Sequence, residues 1–150
     1  MELPKGKLRN MTGIYLTRGE SLLMLYRVGS RVVAPSWCGI GGHFEKEELN
    51  QARDCALREL FEETGIRAEP REFELIGSDR VRHTHYDFYC LKRQTPIEEI
   101  VLLPGETDAV QWASMEKVRC MVRSGEICRI IGHQFRRQEA ALLKRQDAQE

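Results

Sequence analysis

The run Leu22-Leu23-Met24-Leu25 places the first constraint on the fold. Side chains along a strand point alternately to opposite faces, yet this run is apolar at every position. A strand of that kind is covered on both faces, so the sheet that holds it lies between two other layers. Residues 11–17 are apolar and β-branched and supply a neighbouring strand. Arg18-Gly19-Glu20-Ser21 between the two runs is a turn signal, and together they predict an antiparallel hairpin.

Downstream, residues 28–36 contain Gly29, Ser30 and Pro35 and read as a loop. Residues 37–44 are short and rich in glycine. Asn50 is placed to cap a helix, which then runs over 51–64 and stops at Gly65, a residue that tolerates the left-handed conformation of a helix end. Ala52, Cys55, Ala56 and Leu60 fall at helical spacing and define its buried stripe. Strands are predicted over 72–77, over the aromatic-rich 84–91 and over 110–113, and 95–107, with Pro96, Pro104 and Gly105, reads as a loop. Ser114 caps a short helix to residue 122. After Ser124-Gly125 a long helix runs to residue 145, with Ile127, Ile131, Phe135 and Leu142 sharing an apolar face. Strands, a helix, more strands and two helices imply an α/β fold, a mixed sheet with helices packed on it. At 150 residues, without repeat or low-complexity tract, the chain fits a single domain over 1–150.

Charge narrows the choice of partners. Lys plus Arg and Asp plus Glu are 23 each, so no net field draws the chain to a nucleic acid polymer or a membrane. The five cysteines are odd in number and form no C-x-x-C pair, which fits reduced thiols in the cytoplasm better than a disulfide framework. Residues 1–10 carry Glu2, Lys5, Lys7 and Arg9 with no apolar core, unlike a signal peptide. No apolar run approaches the ~20 residues that cross a bilayer.

The chemistry concentrates in two short stretches, Gly41-Gly42-His43-Phe44-Glu45-Lys46-Glu47-Glu48 and Arg58-Glu59-Leu60-Phe61-Glu62-Glu63-Thr64-Gly65-Ile66. Helix positions three or four apart share a face, so Glu59, Glu62 and Glu63 project together. Such a face is either a solvated acidic surface or a seat for a hard divalent cation, which takes oxygen ligands and bridges them to phosphates. The buried stripe opposite, and a glycine-rich turn that lets backbone approach an ion, favour the second. Arg58 is able to orient a glutamate, with Glu48 the expected partner.

These residues resemble the Nudix box: a glycine, five residues, a glutamate, seven residues, then R-E-U-x-E-E-x-G-U, with U a bulky aliphatic. Gly42, Glu48, Arg58, Glu59, Leu60, Glu62, Glu63, Gly65 and Ile66 match. The chain departs once, placing nine residues instead of seven between Glu48 and Arg58. Leu22 to Arg27, Trp37 before the double glycine, and Glu106 to Trp112 resemble the family more loosely.

The resemblance implies a Nudix-type α/β/α sandwich and magnesium-dependent hydrolysis of a nucleoside diphosphate linked to another group, with manganese as a substitute metal. Glu59, Glu62 and Glu63 are then the metal ligands, joined by the Gly41 carbonyl, and Glu62 or Glu63 activates water. Arg58 supports the glutamates, and Glu106 is a further ligand or base or else a plain turn carboxylate. Arg27, Gly42, His43 and Trp37 are the candidates for substrate contact. Arg27 also fits a surface charge at a strand end, and Trp37 and Trp112 fit core packing as well as base stacking. His83 and His85 alternate in a strand, as metal ligands or as ordinary polar residues. The implied substrate is nucleotide-like: 8-oxo-dGTP for a MutT-like enzyme, otherwise ADP-ribose or a dinucleoside polyphosphate. A non-catalytic nucleotide-binding module is the alternative class. The chain is expected to act as a monomer or homodimer.

Overall fold

A computed structural model describes residues 9–29, 34–43, 51–81 and 84–147. One seven-stranded mixed sheet organises them. Strands β1 (Arg9–Arg18) and β2 (Ser21–Arg27) form the expected hairpin, but they pair only at its turn, Thr17 with Leu22 and Arg18 with Ser21. Beyond that corner the two strands part. The outer edge of β2 is filled by antiparallel β7 (Thr107–Ser114), and β1 runs parallel to β6 (Thr84–Lys92). Antiparallel β5 (Glu74–Val81) completes the far side of β6.

The chain itself bridges the opening between β1 and β2. Residues of β3 (Ser36–Cys38) pair with Leu25 to Arg27 of β2, and one residue later β4 (Ile40–His43) pairs with Met11 to Ile14 of β1. Gly41 permits that crossing, because a Cβ there would fall on the Thr12 carbonyl oxygen.

Both faces of the sheet are covered, as the unalternating Leu22 to Leu25 requires. Leu23 and Leu25 turn to one side, where Ile14, Leu16, Tyr89 and Leu91 meet Ala56 and Leu60 of α1 (Ala52–Thr64). Leu22 and Met24 turn to the other, where Cys90 and Ala113 meet α2 (Met115–Ser124) and α3 (Arg129–Asp147) through Val118, Met121, Phe135 and Leu142. Burying a side chain such as Leu60 or Leu142 is worth roughly 1.5–3 kcal/mol each. Among the described residues no helix is long and apolar enough to cross a membrane.

Local chemistry explains where the boundaries differ from expectation. Helix α1 begins at Ala52, with Gln51 in the N-cap position and no side-chain cap; Asn50 lies outside the described residues. Its C-terminus is as expected: Gly65 is left-handed, φ 77°, and its N–H donates to the Phe61 carbonyl. Strand β5 starts two residues late because Pro70–Glu72 forms a 3-10 turn, in which the Glu72 carboxylate accepts the Glu69 N–H at 2.7 Å. A second such turn, Ile97–Glu99, interrupts the loop after β6. Strand β7 is longer than 110–113 because β2 offers it a ladder from Ser21 to Arg27. Ser114 caps α2 as predicted, accepting the Lys117 N–H at 3.1 Å, and the helix continues two residues past 122.

Candidate active site

Helix α1 carries the acidic residues, and strands β2 and β4 meet it with a guanidinium and a backbone amide. Glu63 points into the protein and is 2% exposed. One of its oxygens pairs with Arg27 at the end of β2, and the other accepts the Gly41 N–H at 3.0 Å. A buried carboxylate persists only with such compensation. Arg27 is therefore not the free surface charge that its strand-end position also allowed.

Glu59 lies one turn earlier, its carboxylate pressed onto the β4 backbone. A Cβ at Gly42 would overlap that carboxylate, so the glycine makes the space it occupies. Arg58 Nη1 stands 2.9 Å from Glu59 and 3.1 Å from Glu62, a positive point shared by two carboxylates. Burial nevertheless raises the Glu59 carboxyl above its usual range, opposed by Arg58 and reinforced by Glu62. Burial thus disfavours the charged form of Glu59 by more than Arg58 restores it. Glu62 is the outermost of the three, its side chain 46% exposed.

Among the described residues no three Asp, Glu, His or Cys side chains stand together as a ready metal-binding group. Glu59 and Glu62 share Arg58, while Glu63 turns inward to Arg27. The donor set still suits a hard cation: three carboxylates on one helix and a cradle at Gly42 that only glycine leaves open. Glu48 lies outside the described residues, and the partners that Arg58 shows are Glu59 and Glu62.

Behind Arg27 and Gly41 a cavity of about 240 Å³ opens where β1 and β2 separate. Its walls are chiefly apolar. Ile14 and Tyr15 come from β1, Phe88 from β6, Cys38 from β3, and Ile131 and Gln134 from α3. The Phe88 ring stacks on Tyr86, centroids 5.8 Å apart and planes within 4°, and lies against Gly13. Burial raises the Cys38 thiol to about 11, Arg27 draws it back, and Cys128 on the same cavity raises it further. The structure therefore joins a charged site and an apolar one through Arg27, which lines the cavity and holds Glu63.

Other expected residues fall elsewhere. Trp37 faces Tyr26, centroids 5.2 Å apart, and packs on the α2–α3 core outside the cavity lining. Trp112 packs on the α1 side and donates its indole N–H to the Thr95 carbonyl. His43 ends β4 in register with Met11, with its side chain outside the description. His85 Nε2 stands 3.1 Å from Asp87, and His83 lies outside the described residues. Glu106 is exposed in the turn before β7, where its carbonyl accepts the Val28 N–H at 2.8 Å, next to the end of β2. Tyr15, Phe88, Cys128 and Gln134 are cavity residues that sequence reading missed. A signal did exist for one of them. Gln134 and Gln138, 5% and 6% exposed, put amides on the buried side of α3.

A layered α/β fold with a carboxylate helix beside a cleft defines the class of the protein. The NUDIX domain model matches residues 7–127, and the chain belongs to that family, the Nudix hydrolases. Among solved structures it is similar to the MutT protein of Methanosarcina mazei Go1, with TM-score 0.72 and 19% identity, over 92% of this chain and 97% of that one. A MutT/nudix family protein from Enterococcus faecalis gives TM-score 0.62 and 21% identity over 75% of this chain, which spans only 46% of that longer protein. The NUDIX domain of Shewanella oneidensis NrtR, a structure complexed with ADP ribose, gives TM-score 0.60 and 15% identity, over 76% of this chain and 77% of that one.

Proposed function

We propose that this chain hydrolyses a pyrophosphate linkage in a nucleoside diphosphate derivative, with a divalent cation held by Glu59, Glu62 and Glu63. The carrying observation is the position of Arg27, which lines the apolar cavity and is paired to Glu63 of the acidic helix. A ring in the cavity would thereby bring its phosphates to the carboxylates, with Arg27 at the junction to bind phosphate oxygens. Magnesium bound to these glutamates would neutralise phosphate charge and lower the pKa of bound water. Of the two candidate bases, Glu63 is committed to Arg27 and Gly41, whereas Glu62 is open to water. We therefore assign proton abstraction from the attacking water to Glu62, with Arg58 holding it beside Glu59. Glu106 is a reserve ligand or base from the turn beside β2.

At the finer level we favour a MutT-like reaction on an oxidised purine triphosphate such as 8-oxo-dGTP, releasing a monophosphate and pyrophosphate. ADP-ribose is the second reading, favoured by the likeness to the ADP-ribose-bound Shewanella domain. A panel of nucleoside triphosphates, ADP-ribose and dinucleoside polyphosphates, assayed with magnesium and then manganese, tests both. Product identity separates the substrates, and an absence of metal-dependent cleavage throughout the panel would sink the proposal.

A further inference from the structure

Strand β3 pairs with β2 along one edge, and the stretch leading into α3 comes alongside the other. The Trp37 N–H donates to the Glu126 carbonyl at 2.8 Å, and Trp37 and Ile127 form a parallel bridge. Both of these side chains pack on the α2–α3 core. Successive side chains of an extended chain point to opposite faces, so the next residue on each side, Cys38 and Cys128, turns the other way. The two stand abreast across the bridge, and both line the cavity behind Arg27. Chains paired in this way run ~4.8 Å apart, inside the ~4.4–6.8 Å between Cα atoms that a disulfide spans. Both thiols are free, and Cys128 is close enough to act on the ionisation of Cys38. Their exposure differs: Cys38 is buried and Cys128 partly open. The Cys38 thiol donates to the Leu25 carbonyl at 3.6 Å, a weak bond that is readily given up. The other thiols are placed differently. Cys55 and Cys90 lie against the hydroxyls of Thr12 and Thr17, and Cys120 is exposed on α2, outside the cavity lining.

We propose that Cys38 and Cys128 are a reversible redox pair, which a peroxide joins as a disulfide in the cavity wall, shutting the cavity. The partly open Cys128 reacts first. Its sulfur attacks one peroxide oxygen, the O–O bond breaks, and a sulfenic acid forms with release of one water. The Cys38 sulfur then attacks the Cys128 sulfur. The S–O bond breaks, and hydroxide leaves with the Cys38 proton as a second water. Two thiols give up two electrons, and the peroxide takes them. Arg27 favours the second step by drawing the Cys38 thiol back toward ionisation. A dithiol reverses the bond by exchange. The cross-link draws β3 toward the start of α3, and a cavity of about 240 Å³ has little width to spare. The pair itself stands apart from the proposed hydrolysis; only its control of turnover rests on that reading.

The test treats the full chain with hydrogen peroxide, blocks the remaining thiols and digests with trypsin. Cys38 then falls in peptide 32–46 and Cys128 in 124–129. The expected product is these two peptides joined with the loss of two hydrogens, and separated again by dithiothreitol. Cys38→Ser should halt at the Cys128 sulfenic acid, which dimedone traps, and Cys120→Ser should form the link as the parent does. Three results would overturn the pair: no link in the parent, Cys128 passing to the sulfinic acid as fast in the parent as in Cys38→Ser, or a link confined to Cys120 of two chains. Turnover is scored separately on any nucleotide of the panel that is cleaved. The oxidised parent should lose that turnover and regain it with dithiothreitol, and the rate of Cys128→Ser, whatever its starting value, should not respond to peroxide. A complete link with turnover unchanged overturns the shutting of the cavity. A panel without any cleavage removes the hydrolase, and the peptide masses still decide the pair.

Discussion

Helices α1 and α3 both direct polar side chains at the same sheet, and they do so on different terms. Under α1 the groups are ionic and paired by charge, although Arg27 Nε keeps no hydrogen-bond partner among the described residues. Glu63 has Arg27 and the Gly41 amide, and Glu59 has Arg58. Under α3 they are neutral amides, and Gln134 keeps an unmatched N–H. The physics of burial accounts for the difference. An isolated buried charge costs several kcal/mol, roughly, and is not retained without a partner, whereas an unpaired amide costs about 1–3 kcal/mol and a stable fold can carry it.

The largest effect that separates the two sides is expected from Glu63→Gln. It removes the charge that faces Arg27, and turnover should fall by about 10²-fold or more, the scale of a positioned catalytic group. Steady-state phosphate release measures it, and a parental rate would show that the matched pair is structural only. Next, Leu60→Ala and Leu142→Ala empty the two cores on opposite faces of the sheet. Each should cost about 2–5 kcal/mol in urea unfolding, and the double variant should be additive within about 0.5 kcal/mol. A strong coupling would mean that the layers do not pack independently.

Adjacent glycines give a smaller and sharper contrast. Gly41→Ala sets a methyl against the Thr12 backbone and should cost about 1–3 kcal/mol. Gly42→Ala meets only the movable Glu59 carboxylate, so its stability should change by less than about 1 kcal/mol while divalent-ion binding weakens. Thermal melts with and without magnesium distinguish them, and the reverse ranking would misplace Glu59. The smallest effect is at Cys38 on the cavity side. Its folded thiol is raised to about 11 from an ordinary 9. The thiol form is favoured in the fold, so the contribution is complete below pH 9 and is lost as pH rises through 11. By pH 10 that amounts to about 1 kcal/mol, and the same pH step should leave Cys38→Ala with no such loss.

The layers and the acidic helix were legible because periodicity expresses them directly. Leu22 to Leu25 announced cover on both faces, and the i, i+3, i+4 spacing of Ala52, Cys55 and Ala56, continued by Leu60, marked the buried stripe of α1, from which Glu62 points away while Glu63 turns inward. The cavity was not legible, since Tyr15, Cys38, Phe88 and Gln134 come from four separate elements and meet only through pairing of distant strands. The partner of Arg27 was hidden for the same reason. At Trp37 core packing was the commoner expectation over base stacking, and the half-buried ring lies tilted against Tyr26. Along α3 the error came from reading an apolar stripe through Ile131, Phe135 and Leu142 without asking why Gln134 and Gln138 accompanied it.

The parallel alignment of β1 with β6 sets Arg9 opposite Thr84 and Thr17 opposite Lys92, partners 75 positions apart. A contact of that span closes a long loop, and its entropy must be spent before any pairing repays it. Arg27, the double glycine and all of α1 lie inside that loop. A chain stopped before residue 84 would carry every box glutamate and still lack β6, whose Tyr89 and Leu91 pack in one core with Ala56 and Leu60 of α1.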